Sequence, residues 1–277
     1  MGDLPLGRKV DYPQRYDPAL LVAIPRGDNR RKLGLVPGDL PFTGADVWNA
    51  YELSWLDLYG KPQVARGRFI FGCDSPNLIE SKSLKLYLNS LNQESFPDLE
   101  TARLQIAADL AAACGAAVEV LLQDFSGMQE LLDAPTGVCL DNLVVRCEQY
   151  EVQPGLLQLH ATEALFEEAV DEVVYTDLFR SRCPITGQPD WATMTISYQG
   201  PRIDHASLLR YLVSYRLHDD FHENCVERIY CDIQLLCRPY QLSVEANFLR
   251  RGGLDINPVR STAPMMDYVL FPRYNRQ

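Results

Sequence analysis

The feature that most constrains this chain is a repeat inside its own sequence. Residues 83–91 read SLKLYLNSL and residues 207–215 read SLLRYLVSY. In both segments the apolar residues recur at positions i, i+3, i+4 and i+7, which is the pattern of a helix with one buried face. A motif that recurs with its surroundings predicts two structural units of the same kind.

The sequence around these two helices repeats as well. A Gly-x-Pro turn precedes each helix, at residues 60–63 and 187–190, and leads into an alternating, strand-like segment at 64–71 or 191–198. Downstream come a second amphipathic helix and another alternating segment, at 118–122 and 242–248. Each half therefore predicts the order strand, strand, helix, helix, strand, strand, which is typical of an antiparallel sheet with both helices on one face.

We predict an α+β fold of two tandem domains. The N-terminal copy is expected to span residues 46–152 and the C-terminal copy residues 153–277. Residues 1–45, which are rich in Pro and Gly, predict an irregular N-terminal extension.

Charge and hydropathy exclude several classes of function. A formal net charge of -11 argues against broad electrostatic binding to nucleic acid or to anionic membranes. No run approaches the roughly 20 apolar residues that span a bilayer, and residues 1–14 do not resemble a signal peptide. The 8 cysteines form no CxxC pair, so we expect reduced thiols in a cytoplasmic protein.

The two copies differ in their polar residues, and this difference indicates where function lies. Cys183 and Asp190 stand where the first copy is expected to have Leu56 and Gln63. The first copy has Glu80-Ser81-Lys82 before its helix, where the second has Asp204-His205-Ala206. We expect a composite site to which each half contributes different groups.

Cys183 is the candidate nucleophile. The turn at 186–189 can fold the chain back so that Asp190 approaches the thiol. A reactive cysteine needs partial exposure and a partner that manages its proton, so Arg182 could favour the thiolate and Asp190 could act as acid or base. The alternative is an inert loop cysteine.

His222 and Glu223 open the second helix of the C-terminal copy. A carboxylate there suits a guanine-like edge, because it accepts hydrogen bonds from the ring N–H and the exocyclic amine. The alternative is a solvated helix N-terminus, where acidic residues are common. A third hypothesis is a metal held by His222, Cys225 and Cys183.

Two basic segments are candidates for holding a phosphate. Residues 250–253 read Arg-Arg-Gly-Gly, which combines guanidinium groups with flexible backbone N–H groups. Lys82 and Lys85 form a second basic spot. Ordinary surface charge is the alternative, and no GxGxxG or Walker motif supports a Rossmann or P-loop site.

Taken together, these residues resemble the long form of 7-cyano-7-deazaguanine reductase, the nitrile reductase of queuosine biosynthesis, a tRNA modification. The resemblance covers residues 80–90, Cys183 with 188–191, residues 221–223 and residues 250–258, in the family's order. It implies two tandem tunnelling-fold (T-fold) domains, each an antiparallel sheet with two helices on one face. It also implies homodimers with the active site at the interface between copies.

The resemblance further implies a role for each matching residue. Cys183 would attack the nitrile carbon to give a covalent thioimide, with Asp190 as general acid, and NADPH would deliver hydride twice to form the aminomethyl product. The deazapurine would be bound by Ile79, Glu80, Ser81, His222 and Glu223. NADPH would be bound by Ser81, Lys82, Arg251 and Gly252, and neither a metal nor direct contact with nucleic acid or membrane is expected.

Two other functions remain open from the residues alone. A metal-dependent T-fold cyclohydrolase acting on a purine or pterin would need zinc on Cys183 and His222, with Cys225 as an optional third ligand. A non-catalytic purine-binding module would use Glu80 and Glu223 without consuming a cofactor.

Overall fold

A computed structural model of the chain describes residues 12–125, 132–160, 169–264, 268, 271–274 and 276–277. Within these ranges the chain forms a mixed α+β architecture of five α-helices and ten β-strands, in agreement with the predicted class. It divides into two compact units. Residues 1–11 of the expected N-terminal extension lie outside the described ranges. None of the described helices has the length and apolar character needed to cross a membrane.

The first unit comprises Met1–Gly38, Ala45–Leu131 and Arg250–Ile256, apart from the residues not described. Its elements are β1 (Ala23–Pro25), α1 (Gly27–Lys32), β2 (Thr43–Leu56, from Ala45), β3 (Pro62–Gly72), β4 (Asn77–Ile79), α2 (Ser81–Ser90), α3 (Leu99–Cys114) and β5 (Val118–Gln123). Strands β5, β3 and β2 form an antiparallel sheet in that order, and β1 pairs with β4 separately.

Local sequence explains where the two main helices of this unit begin and end. The Glu80 carboxylate caps α2, and Asp98 caps α3 by accepting a hydrogen bond from the Thr101 backbone N–H. Helix α3 ends at Gly115, whose φ of 78° is a left-handed conformation that glycine adopts without strain. Both helices bury their apolar stripes against the sheet, in a core that includes Trp48, Phe69, Phe71, Leu84, Tyr87, Ile106 and Leu110.

The second unit comprises Asp39–Gly44, Leu132–Leu249 and Asn257–Gln277, apart from the residues not described. Its elements are β6 (Val138–Cys139), β7 (Val170–Arg182), β8 (Pro189–Gly200), α4 (His205–Val213), α5 (His222–Cys237), β9 (Gln241–Phe248) and the later part of β10 (Leu254–Ser261). The strand order is β10, β9, β8, β7, β6. The predicted purely antiparallel pairing is wrong at one place, because β6 runs parallel to β7.

The last short strand of each sequence copy explains this exception. Strand β6 lies near the end of the first copy, yet it belongs to the second unit, while Arg250–Ile256 lies near the end of the second copy and belongs to the first unit. A strand that arrives by a long connection can pair in either direction, whereas a tight hairpin forces antiparallel pairing. The predicted boundaries at 45, 152 and 153 divide the chain by its repeat and stay a prediction.

The repeat extends further upstream than the sequence pattern indicated. Short 3-10 helices at Pro18–Leu20 and Pro154–Leu156 occupy matching places, each upstream of the long hairpin of its copy. After each 3-10 helix, a backbone carbonyl accepts a hydrogen bond from the residue that caps the first helix of the pair. The distances are 2.9 Å from Glu80 N to Val22 O and 3.0 Å from Asp204 N to Gln158 O. The segment expected to be irregular is therefore partly regular, and PALL at 18–21 against PGLL at 154–157 was a visible signal.

Candidate active site

Cys183 lies at the start of the loop that joins β7 to β8. Its backbone N–H donates to Gln188 O at 2.9 Å, and its carbonyl accepts from Gly187 N at 2.9 Å. Gly187 has a φ of 67°, which closes the turn without the strain that a side chain would bring. The Cys183 residue is only 5% exposed, so the thiol is held in a fixed, largely desolvated place.

Asp190 returns beside this loop, as the turn predicted. It lies directly across from Ser181 in the β7–β8 pair, two residues before the cysteine, and is 5% exposed. A buried carboxyl on the same hairpin as the thiol can act in proton transfer to or from a reacting group.

The expected alignment of Cys183 with Leu56 is wrong by one residue. Leu56 pairs with Pro62 in the first hairpin and Arg182 pairs with Pro189 in the second, so Arg182 is the counterpart of Leu56. Cys183 corresponds instead to Asp57. Counting back from the proline misplaced the match because the loop of the second hairpin, residues 183–188, is one residue longer than residues 57–61.

The start of α5 lies against this hairpin. His222 Nε2 lies 3.6 Å from Asp190 Oδ1, and the imidazole centroid lies 3.9 Å from the Phe248 ring centroid, edge to face. Glu223 is 3% exposed and belongs to the first turn of the helix. The second unit therefore brings Asp190 and His222 together, and the predicted start of the helix at His222 is confirmed.

Arg182 has a different partner from the one that its sequence position suggested. Its Nε and Nη2 atoms donate to Asp219 Oδ1 and Oδ2, both at 2.8 Å. Because this carboxylate already balances the guanidinium charge, Arg182 is a weak source of thiolate stabilisation for Cys183. Asp219 carries no motif, so sequence reasoning missed it.

The metal hypothesis fits poorly with this geometry. Burial raises the pKa of the Cys225 thiol well above its usual value, which disfavours the thiolate that a metal would need. Among residues 12–125, 132–160 and the described part beyond 169, no group of three or more His, Cys, Asp or Glu side chains could hold a metal ion.

The first unit holds the Glu80 segment at the start of α2. Ile79 is 4% exposed and packs in the core, so only its main chain can reach a ligand. The Glu80 carboxylate accepts hydrogen bonds from the backbone N–H groups of Lys82 at 2.9 Å and Ser83 at 2.7 Å. Burial raises the pKa of Glu80 even though these backbone bonds oppose the shift. Ser81 and Lys82 are partly exposed and open towards solvent.

The Arg251-Gly252 turn contacts the same helix. Gly252 has a φ of 56°, and a Cβ built on it would lie 3.1 Å from Lys85 Nζ, so this ammonium rests against bare backbone. Lys85 is one turn beyond Lys82 and also lies 3.3 Å from Glu52 Oε2. Lysine side chains beside exposed backbone N–H groups fit a phosphate-bearing group.

Two further side chains near this turn were not among the predicted site residues. The Arg250 guanidinium lies over the Tyr51 ring, 4.8 Å from its centroid. Tyr51 in turn donates its hydroxyl to Asp255 Oδ2 at 2.5 Å. The Arg-Arg-Gly-Gly motif pointed to Arg250, but nothing in the sequence pointed to Tyr51.

Comparison with known proteins gives one consistent answer. Residues 12–122 match the family model described as "Nitrile reductase, 7-cyano-7-deazaguanine-reductase N-term", and residues 189–265 match the model described as "QueF-like protein". A solved structure of an apo archaeosine synthase QueF-Like gives a TM-score of 0.31 at 17% identity, covering 36% of this chain and 98% of that chain, too slight a likeness to inform on the fold.

Curated relatives match over nearly their whole length. The NADPH-dependent 7-cyano-7-deazaguanine reductase of Dechloromonas aromatica is 49% identical over 93% of this chain and 90% of its own. The protein of the same name from Bordetella avium is 50% identical, over 95% of this chain and 94% of its own. At this identity and coverage, the chain belongs to the family of NADPH-dependent 7-cyano-7-deazaguanine reductases.

Proposed function

We propose that this chain reduces the nitrile of 7-cyano-7-deazaguanine to the aminomethyl group of 7-aminomethyl-7-deazaguanine, with NADPH as reductant, in queuosine biosynthesis. The observation that carries the proposal is that the β7–β8 hairpin holds both a buried Cys183 and a buried Asp190, in a chain of this family. A nitrile is a weak electrophile towards hydride, and addition of a thiolate turns it into a C=N group that accepts hydride more readily.

Cys183 and Asp190 perform the first step in this proposal. The thiolate attacks the nitrile carbon, a C–S bond forms, one C–N π bond breaks, and Asp190 donates a proton to the nitrogen, giving a thioimide. His222, 3.6 Å from Asp190, is placed to hold the carboxyl and to exchange a proton with it. The low exposure of both reacting groups helps to keep water from the C=N intermediate.

Carboxylates recognise the base in this proposal. Glu223 accepts hydrogen bonds from the guanine-like edge, and the Ile79–Ser81 segment contributes main-chain groups and the Ser81 hydroxyl. Glu80 acts chiefly by capping α2, because both of its oxygens already accept backbone N–H groups.

The cofactor is proposed to bind where α2 meets the Arg251-Gly252 turn. Lys82 and Arg251 hold its phosphates, and Gly252 allows the close approach that a side chain would block. When bound, NADPH supplies the hydride for each of the two reduction steps. Ser81 is the first residue of the same helix, and its backbone N–H is proposed to bind the cofactor.

We also propose the domain type, the oligomeric state and the location of the protein, from its family. Each sequence copy is a T-fold domain, the chain forms homodimers, the site is composite between copies, and the protein acts in the cytoplasm. Support comes from the matching bonds of the two helix pairs and from the division of the candidate residues between the two units.

Intact-protein mass spectrometry after mixing with 7-cyano-7-deazaguanine, without NADPH, tests the proposal. Addition of a thiol to a nitrile loses no atoms, so we expect a gain of one whole substrate mass per chain. The adduct should form in Cys147→Ala, which removes a more exposed thiol elsewhere in the chain, and should be missing in Cys183→Ala. NADPH should discharge it.

The same experiment separates the alternatives. Reversible substrate binding with neither adduct nor NADPH oxidation would favour a purine-binding module. Stoichiometric zinc in the purified protein, together with hydrolysis of a purine or pterin, would favour the cyclohydrolase and overturn the reductase proposal.

A further inference from the structure

We infer that the Arg182–Asp219 ion pair is a positioning device for the reaction, which fixes the Cys183 hairpin against the start of α5. The inference rests on the proposed function of Cys183 and His222 and adds two residues to it. Arg182 is the last residue of β7 and directly precedes the thiol. Asp219 lies three residues before His222, in the segment that leads into α5.

The pair has the geometry of a rigid clamp. Two parallel N–H···O bonds of 2.8 Å join the guanidinium to the carboxylate, which fixes both planes relative to one another. Backbone bonds flank it on both sides, from Arg182 N to His218 O at 2.8 Å and from Asp220 N to Arg182 O at 3.1 Å. The hairpin and the segment before α5 are therefore joined by four hydrogen bonds at one residue.

The first unit provides an internal control for this arrangement. Leu56 occupies the place of Arg182 and makes the same pair of backbone bonds, donating to Glu94 O at 2.8 Å and accepting from Phe96 N at 2.9 Å. Ser95 bridges to Leu56 as Asp219 bridges to Arg182. In the first unit the backbone of the hairpin thus bonds to the segment before the second helix without any ion pair. The ion pair is therefore not required for this backbone contact to form.

Both units have this backbone contact, but only the second has the nucleophile and the ion pair beside it. The partners are 31% and 48% exposed, and an ion pair at that exposure contributes little to folding stability. Its geometric effect is larger, because it fixes the thiol hairpin relative to the helix that carries His222 and Glu223. A misplacement of about 1 Å between reacting groups can slow a reaction about a hundredfold.

The adjacent Asp220 carries the constraint into α5. Its Oδ1 atom accepts from Phe221 N at 2.8 Å and from Asn224 Nδ2 at 2.7 Å, which orders the first turn of the helix. The continuous path from Cys183 to His222 is therefore Arg182, Asp219, Asp220 and the first turn of α5.

The test grafts the first unit's residues into the second, as the double variant Arg182→Leu/Asp219→Ser. We expect it to fold, to bind the amine product with the parent's affinity, and to form the Cys183–nitrile adduct about 10 to 100 times more slowly. The charge swap Arg182→Asp/Asp219→Arg should recover most of the parent rate. The control Glu100→Ser/Arg103→Leu removes another two-bond ion pair, 61% and 29% exposed on α3, and should keep the parent rate.

A second readout does not depend on the nitrile chemistry. The pH profile of Cys183 alkylation by iodoacetamide, followed by peptide mass, should shift in the graft and return in the charge swap. If the parent forms no adduct, the proposed function fails, and the alkylation profile still decides whether the pair positions the thiol. An unchanged profile, or a charge swap as slow as the graft, would overturn the inference.

Discussion

The two hairpins β2–β3 and β7–β8 have the same antiparallel pairing and differ in the residues of their loops. In the first, the Asp57 carboxylate accepts the backbone N–H groups of Tyr59 and Lys61, and these bonds lower its pKa, the Lys61 bond most. In the second, the corresponding Cys183 is buried. The comparison shows two hairpins of the same pairing, of which only the second has a buried cysteine in its loop, so paired variants at matching positions can separate folding from function.

Cys183→Ala against Asp57→Ala tests that separation most strongly. Loss of the nucleophile should lower turnover by at least about a thousandfold, because the covalent step has no substitute. Asp57→Ala removes only loop hydrogen bonds and should leave the rate within about twofold. NADPH oxidation followed by absorbance checks both. Comparable losses in the two variants would mean that the first hairpin also takes part.

Asp190→Asn against Gln63→Ala is the next comparison along the same strands. An amide cannot donate the proton that the nitrile nitrogen requires, so we expect a loss of about 10²- to 10⁴-fold. Asp190 and Gln63 are matching positions, each one residue into its strand. Adduct formation in single turnover is the measurement. An Asp190→Asn variant that forms the adduct at the parent rate would assign the proton to another group.

Much of the shared frame was predictable from the sequence, because periodicity reports burial. Leu84, Tyr87 and Leu88 fall on one helical face by their spacing, and all three are buried. Caps are equally local, as Asp98 shows. Hairpin register was less certain, since one extra loop residue shifted the match of Cys183 from Leu56 to Asp57.

Other features depend on contacts between distant residues and left no pattern. Asp219 contacts Arg182 across 37 positions of sequence, with no motif at either end. Strand β6 pairs with β7 in the parallel direction, and no hairpin signal specifies that pairing. The motif residues were found from their chemistry and from a family resemblance, whereas their neighbours Tyr51 and Phe248 needed coordinates.

The two helix pairs can also be compared through matching tyrosines, Tyr87 and Tyr211, by the free energy of unfolding of their variants. Each donates its hydroxyl at 2.6 Å to an aspartate on the following helix, Asp109 or Asp232. Asp109 has further donors in Tyr16 at 2.8 Å and Gln105 at 3.1 Å. The Tyr211 hydroxyl is instead also bonded to the Tyr215 hydroxyl, at 3.0 Å.

We therefore expect Tyr211→Phe to lower the free energy of unfolding by about 2 to 3 kcal/mol and Tyr87→Phe by about 1 kcal/mol. The difference arises because the half-buried Asp232 carboxylate, whose pKa burial already raises, loses a principal donor, whereas Asp109 keeps two others. Urea denaturation of each variant beside the parent measures both values. Equal losses would show that the additional donors to Asp109 contribute nothing.

Glu245 against Leu121 is the comparison with the smallest expected effect. Val118 pairs with Phe71 and Leu242 with Tyr198, so Leu121 and Glu245 hold matching places on β5 and β9. Burial raises the pKa of Glu245 to about 7, and its Oε1 atom has no hydrogen-bond partner among the described residues. Matching places in the two copies thus hold an apolar side chain, Leu121, and an acid, Glu245.

The sign of the pH effect follows from this raised pKa. The folded state holds the Glu245 proton more tightly than the unfolded chain, so the protein is most stable below the unfolded pKa and loses stability as the pH rises through about 7. Glu245→Gln should remove that loss, with a gain on the order of 1 kcal/mol at pH 8.5 and none at pH 4. Glu172 is the opposite control: burial raises its pKa, but hydrogen bonds from Tyr198 and His205 lower it overall. Glu172→Gln should therefore destabilise the protein at pH 8.5, and urea denaturation at both pH values would show whether the two glutamates differ in sign.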